Sequence, residues 1–135
     1  LLQAGANVNY VDDETGGSQP IHFASMVDRQ DILEYLLMNG ADVNASTFYK
    51  VSPLHFAANS GQVLNCESLV RFGGHINAVC DHGRTPLHEA AFQGYNYTCA
   101  KLLQLGADPW IRSIQNDTAL NFAERRFQCE TSMLL

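Results

Sequence analysis

A chain of 135 residues, 46% of them apolar, is long enough for one domain with a core of its own. Charged residues make up only 16%, which excludes a disordered polyelectrolyte. A net charge of −6 with eight Lys and Arg leaves no basic face for nucleic-acid phosphates or an anionic membrane surface.

No apolar run is long enough to span a bilayer. Cys66, Cys80, Cys99 and Cys129 include no C-x-x-C pair. They read as free thiols of a reducing compartment rather than as a disulfide or zinc set.

The chain opens on Leu1-Leu2-Gln3-Ala4-Gly5, the pattern of a helix tail closed by glycine. A turn-rich stretch, Asp12-Asp13-Glu14-Thr15-Gly16-Gly17-Ser18, comes next. Gln19-Pro20-Ile21-His22 then begins a series that returns as Ser52-Pro53-Leu54-His55, Thr85-Pro86-Leu87-His88 and Thr118-Ala119-Leu120-Asn121. The starts fall at 19, 52, 85 and 118, a period of 33 throughout. A second series, at Gly5, Gly40, Gly73 and Gly106, has intervals of 35, 33 and 33. Two extra residues therefore sit between Asn9 and Gln19, and the turn-rich stretch takes them as a loop insertion.

Each unit predicts two helices. In the third, Thr85 caps and Pro86 starts a first helix running to about Phe92. Ala90 and Ala91 permit close approach of a neighbour, and Gly94 supplies the stop. Tyr97, Cys99, Ala100, Leu102 and Leu103 then recur near a period of 3.6 up to Gly106. One such pair cannot bury both helices, so stability requires stacking. The division expected is a truncated tail over 1–10, units over 11–44, 45–77 and 78–110, and a truncated unit over 111–135, closing inside its second helix. Neither end has the polar outer face of a terminal unit, so further repeats or domains are expected on at least one side.

Pro-Leu-His, Ala-Ala, a Gly six residues after the His, paired Leu and Gly-Ala-Asp resemble the ankyrin repeat, best in Thr85-Pro86-Leu87-His88, Ala90-Ala91, Gly94, Leu102-Leu103 and Gly106-Ala107-Asp108. The departures are Asp28 and Phe127 for the inter-helix Gly, Gly74-His75 for Ala-Asp, and Trp110 for Asn. The resemblance implies an all-α solenoid of stacked helix–turn–helix units joined by hairpin-like loops. It also implies an intracellular protein, cytoplasmic or nuclear, whose work is binding another protein or peptide segment.

His22, His55 and His88 suggest a metal series, but helices stacked about 8–10 Å apart would separate the imidazoles beyond the reach of one ion. The resemblance assigns them to hydrogen bonds between loops. His88-Glu89-Ala90-Ala91-Phe92 misses the H-E-x-x-H zinc motif at its last residue, and no phosphate-loop, dinucleotide or nucleophile motif is present. No catalytic residue, metal or cofactor is expected. The sequons at Asn44, Asn96 and Asn116 read as chance matches.

Asn9, Asn44 and Asn77 each follow Val or Ile and have a Leu eight residues earlier. They resemble the ankyrin-repeat sites of asparaginyl hydroxylation, which makes Asn44 and Asn77 the candidates. The plainer role for each is fixing its turn through side-chain–backbone bonds.

Recognition in the family falls on loop tips and the exposed side of the first helix. Those positions hold Met26, then Phe48, Tyr49 and Val51, then Asp81, His82, Arg84, Phe92 and Gln93, then Ile114, Gln115 and Arg125. Phe48, Tyr49, Arg84 and Phe92 would share one concave strip. The competing reading packs these rings onto neighbouring loops. Trp110 reads as packing. Asp12, Asp13, Glu14 and Asp81 point to a partner with some basic character. An adaptor is the leading reading. A regulatory segment of an enzyme or channel, a substrate-recognition part of a ubiquitin ligase of the SOCS-box type with its ligase components, and a transcriptional co-regulator are the rivals.

Overall fold

The computed structural model describes the backbone of residues 7–134 and side chains as far as Arg126. The tail expected over residues 1–5 and the Cys129 thiol lie outside the described residues. The elements are α1 (Pro20–Met26), α2 (Gln30–Met38), α3 (Pro53–Asn59), α4 (Val63–Arg71), α5 (Pro86–Gln93), α6 (Asn96–Gln104) and α7 (Ala119–Leu134), and no strand occurs among the described residues. The helices pack in two rows. The first helices form one row, α1 on α3, α3 on α5, α5 on α7; the second form another, α2 on α4 and α4 on α6. The chain is thus an all-α solenoid, with Ile21, Leu33, Leu54, Leu69 and Leu102 fully buried between the rows.

Each first helix begins in the same way. Ser52 Oγ and Thr85 Oγ1 accept the backbone N–H of His55 and His88, both at 3.3 Å. In return, the imidazole Nδ1 accepts the N–H of Ser52 at 3.2 Å and of Thr85 at 3.0 Å. Gln19 replaces the hydroxyl in the first unit; His22 Nδ1 still accepts its N–H at 2.9 Å, but Gln19 Oε1 is buried without a partner. In the fourth unit Asn121 Oδ1 stands in for the ring nitrogen and accepts the Thr118 N–H at 2.9 Å.

With Nδ1 accepting, the ring proton resides on Nε2. That N–H donates to the next unit: His22 to Val51 O at 3.1 Å, His55 to Arg84 O at 2.8 Å and His88 to Asp117 O at 2.8 Å. The expected loop-tying role is therefore what the imidazoles perform.

The second expected tie takes a different form. Asp42 Oδ1, not Asn44, closes the local turn, accepting the Asn44 N–H at 2.9 Å. Asn44 reaches forward instead: Oδ1 accepts the His75 N–H at 2.9 Å and Nδ2 donates to Gly73 O at 3.2 Å. Asn9 holds Asp42 N and Gly40 O in the same way, and Asn77 Oδ1 accepts the Asp108 N–H at 2.8 Å. Asp42, two residues before Asn44, and Asn7, two before Asn9, already accept the turn N–H, which frees the later amide to bridge units.

Two expectations need correction. Trp110 is 72% exposed and not packed. It holds the register of Asn77, but an indole donates only and cannot accept a following N–H. The fourth unit does not break at Phe127: α7 runs unbroken for 16 residues. Glycine ends α5 at Gly94, φ +77°, whereas 119–134 holds no Gly or Pro to stop the helix. At Asp28, which also lacks the glycine, the buried Asn65 compensates by donating Nδ2 to Ser25 O at 3.1 Å and Val27 O at 2.8 Å.

Burial holds the pKa of His22 and of His55 below the ordinary value of 6.5, with the carbonyls they bond pulling back the other way. The folded values thus lie below the unfolded one, and the unfolded chain takes up protons first as pH falls. Stability should be complete above about pH 6.5 and decline below it, until the folded-state rings protonate in turn. Melting followed by circular dichroism should show Tm falling from about pH 7.5 to about pH 5.5, and falling less in His55→Gln.

Candidate functional site

Between consecutive units the chain folds into short fingers. Their bases close with Thr47 N–H to Val51 O at 3.1 Å, Cys80 N–H to Arg84 O at 3.1 Å and Ser113 N–H to Asp117 O at 2.8 Å. In the first finger the equivalent bond is Asp12 N–H to Ser18 O at 2.8 Å. It spans two more residues than the others, so the insertion is where the spacing put it. A 3-10 turn over Asp13–Thr15 takes it up.

Fingers are tied at their tips as well. Phe48 N–H donates to Gly16 O at 2.9 Å, Asp81 N–H to Tyr49 O at 3.0 Å and Ile114 N–H to His82 O at 2.9 Å. The tips therefore form a backbone ladder in strict 33-residue register. Side chains at these positions are presented beside one another on a fixed frame.

Eight of the twelve sequence-selected residues fall into three groups; Asp81, Gln93, Ile114 and Gln115 stand outside them, with Asp81 exposed at the tip of its finger. Phe48 and Tyr49 lie over the first finger: a Cβ at Gly17 would meet the Phe48 ring at 2.6 Å, and one at Gly16 the Tyr49 ring at 3.3 Å. Both rings remain well exposed, at 60% and 65%. They pack on the neighbouring loop and face solvent, so the two competing readings both describe them in part.

Met26, Val51 and His82 come together with Phe56, Cys80 and Glu89 around a cavity of about 260 Å³ on the finger side of α3 and α5. Glu89 is its carboxylate, held by Asn59 Nδ2 at 2.8 Å. Arg84, Phe92 and Arg125 gather at a third place around the buried Phe122. Phe92 and Phe122 meet edge-on with centroids 6.0 Å apart. The Arg84 guanidinium lies 5.9 Å from the Phe92 centroid and 5.2 Å from that of Phe122, and Arg125 lies 5.6 Å from Phe122. Arg125 is also ion-paired with Asp117. Gln93 closes α5, half-buried, and Ile114 and Gln115 stand exposed on the last finger. Among the described residues no ring–ring or cation–ring pair joins Phe48 or Tyr49 to Arg84 or Phe92; the backbone bond from Asp81 N–H to Tyr49 O links their fingers.

The periodic reading passed over Phe122, because its register residue in the third unit is Glu89. Phe56 in the second unit was the available signal. Phe56 sits 5.0 Å from the His22 ring, as Phe122 sits 5.2 Å from His88.

A larger hollow, about 1050 Å³, opens on the other side of the first unit and is lined by Pro20, Phe23, Val27, Ile32 and Tyr35 among others. Phe23 shares the register of Phe56 and Phe122, each of which packs on the imidazole of the unit before it. The hollow therefore has the character of a stacking face rather than of the finger-side groove. Among the described residues no group of His, Cys, Asp or Glu is arranged to hold a metal ion, and no helix is long and apolar enough to cross a membrane. Burial pushes the Cys66 thiol up to about 12 and also raises that of Cys99.

Residues 46–113 match the family of ankyrin repeats in three copies, and residues 16–48 match a single ankyrin repeat. The chain belongs to the ankyrin repeat family. Ankyrin repeats are generally protein-interaction modules and typically non-catalytic. Among curated proteins, the chain is similar to the human 2-5A-dependent ribonuclease, 52% identical over 42 residues. That match covers 31% of this chain and 6% of the ribonuclease, so the chain spans a small part of its relative and the likeness shows no enzyme activity here.

Gly17 has φ +86° as well as the Phe48 ring against it. Gly17→Ala should cost about 1–3 kcal/mol through backbone strain and displacement of that ring. The lowered Tm should come with loss of the ring-current shift that Phe48 imposes on the Gly17 region in NMR spectra.

Proposed function

We propose that the array docks a protein segment along its fingers and the finger-side face of its first helices, working as an adaptor. The observation that carries this reading is the cavity of about 260 Å³ where Met26, Val51 and His82 meet, three residues drawn from three different units. Docking sites combine an apolar floor with a few fixed polar groups. Here Phe56 and Cys80 supply the first and the Asn59-held Glu89 the second. Phe92, 51% exposed, extends the apolar surface toward the fourth unit. Exposed aromatic and Arg side chains carry most of the energy in such contacts.

Truncating Phe48 and Tyr49 would also loosen the first finger on which they rest, so the informative variant lies elsewhere. The Met26→Ala, His82→Ala, Phe92→Ala triple variant should retain its circular dichroism spectrum. It should lose about 2 kcal/mol or more of affinity for a partner recovered by affinity purification. Undiminished binding to every recovered partner would place the contact elsewhere.

A second reading has one observation in its favour. The likeness to a small part of a ribonuclease suits an array that regulates a larger enzyme in cis. Linkage to a ubiquitin ligase of the SOCS-box type has no comparable support.

Asn44 and Asn77 are, on the same reading, candidate substrates for asparaginyl hydroxylation. Both bridge units through their side-chain amides, so modification requires the loop to open first. Mass spectrometry of the Asn44 peptide from normoxic cells should show the mass of one added oxygen, absent under hypoxia. An unmodified peptide in both removes this assignment.

A further inference from the structure

The finger-side face carries one cation whose side chain has rings but no anion. Arg84 is half-buried at the base of the third finger. Its carbonyl is engaged, accepting from Cys80 N–H and from His55 Nε2. Its guanidinium, by contrast, makes no hydrogen bond or ion pair among the described residues and rests against Phe92 and Phe122. Arg125, beside it on Phe122, pairs with Asp117. That carboxylate is therefore engaged elsewhere.

A guanidinium has five N–H donors. Ring faces attract its charge and fix its plane but accept few of those bonds. A half-buried Arg left in this condition is preorganised: the entropy of ordering the side chain has been met before any ligand arrives. The fork matches a carboxylate in two parallel hydrogen bonds. A polyanion such as a nucleic acid is opposed by the net charge of −6.

We propose that the Arg84 guanidinium, seated on the rings of Phe92 and Phe122, receives an Asp or Glu side chain of the docked segment. The assignment rests on the docking reading of this face and adds the chemistry of one contact to it. It also revises the partner's expected character: the acidic tips at Asp12, Asp13 and Glu14 favour basic residues at one end, whereas this site demands an acidic one at the other. Phe92 would cover the aliphatic part of that side chain and exclude water from the ion pair.

The test is to pan a random peptide library displayed on phage against the whole chain and against Arg84→Gln. Peptides recovered on the unaltered chain should be enriched in Asp and Glu. Their affinity should fall roughly ten-fold or more on R84Q and weaken as salt is added, with Tm unchanged. Recovered peptides without acidic enrichment, or acidic peptides indifferent to R84Q, overturn the assignment. If such peptides are nevertheless lost on Met26→Ala and His82→Ala, the docking face stands and Arg84 alone is dismissed. Binders indifferent to all these substitutions, or no binders at all, count against both. Should R84Q fold poorly, the Arg84 Nε–H signal in NMR spectra of the unaltered chain gives the same reading. It should shift when an acidic peptide is added, and a stationary signal overturns the assignment.

Discussion

The imidazole that faces two ways is the constraint on which the architecture depends. One ring nitrogen accepts from the N-cap backbone and thereby starts its own helix; the other donates across to the base of the next finger. A carboxylate could accept at the cap but could not donate forward, and an ammonium could donate but not accept. Neutral histidine alone among titratable side chains offers both in a rigid ring. Burial disfavours the charged form of His22 and His55, so the same packing that those rings organise also supports the protonation state they need.

From that tie follows the geometry of the face proposed for docking. Histidine fixes the base of a finger, the tip-to-tip backbone ladder fixes its end, and forward-reaching asparagines fix the exit of each second helix. The candidate recognition side chains then project from a frame held at three levels, although no finger has a core of its own. Preorganisation of this kind reduces the ordering cost of association. It also separates roles cleanly: the backbone and the repeating polar residues hold position, while Met26, His82, Arg84 and Phe92 are free to differ from unit to unit.

The period of 33, the helix starts at Pro20, Pro53 and Pro86 and the loop insertion were legible in the residues, and the linking role of the histidines in the family resemblance. Each depends on local chemistry that repeats. What was not legible depends on contacts between unlike units. Asn44 reads as a turn residue until the Asp42 carboxylate is seen to close that turn. Trp110 reads as packing because it replaces an inward-turning loop residue, yet its register is a bridging position at the surface. Nothing in the spacing says that α7 passes Phe127 unbroken, since a missing glycine at Asp28 is offset by Asn65 from a neighbouring helix. The candidate site was half legible: register identified the face, but the grouping of its residues into a cavity, an aromatic–guanidinium cluster and two rings laid on glycine required the coordinates.

The enlarged first finger has a consequence of another kind. A backbone frame that repeats every 33 residues would, by itself, offer an extended ligand several equivalent offsets, as a ruler without a zero mark. Sliding by one unit would cost little, and the bound state would be a mixture of phases. Two additional residues, with the aromatic pair settled over the glycines beside them, make this finger unlike the three that follow it among the described residues. The asymmetry is a landmark within the repeating frame, so a ligand that contacted it would be held in a single register.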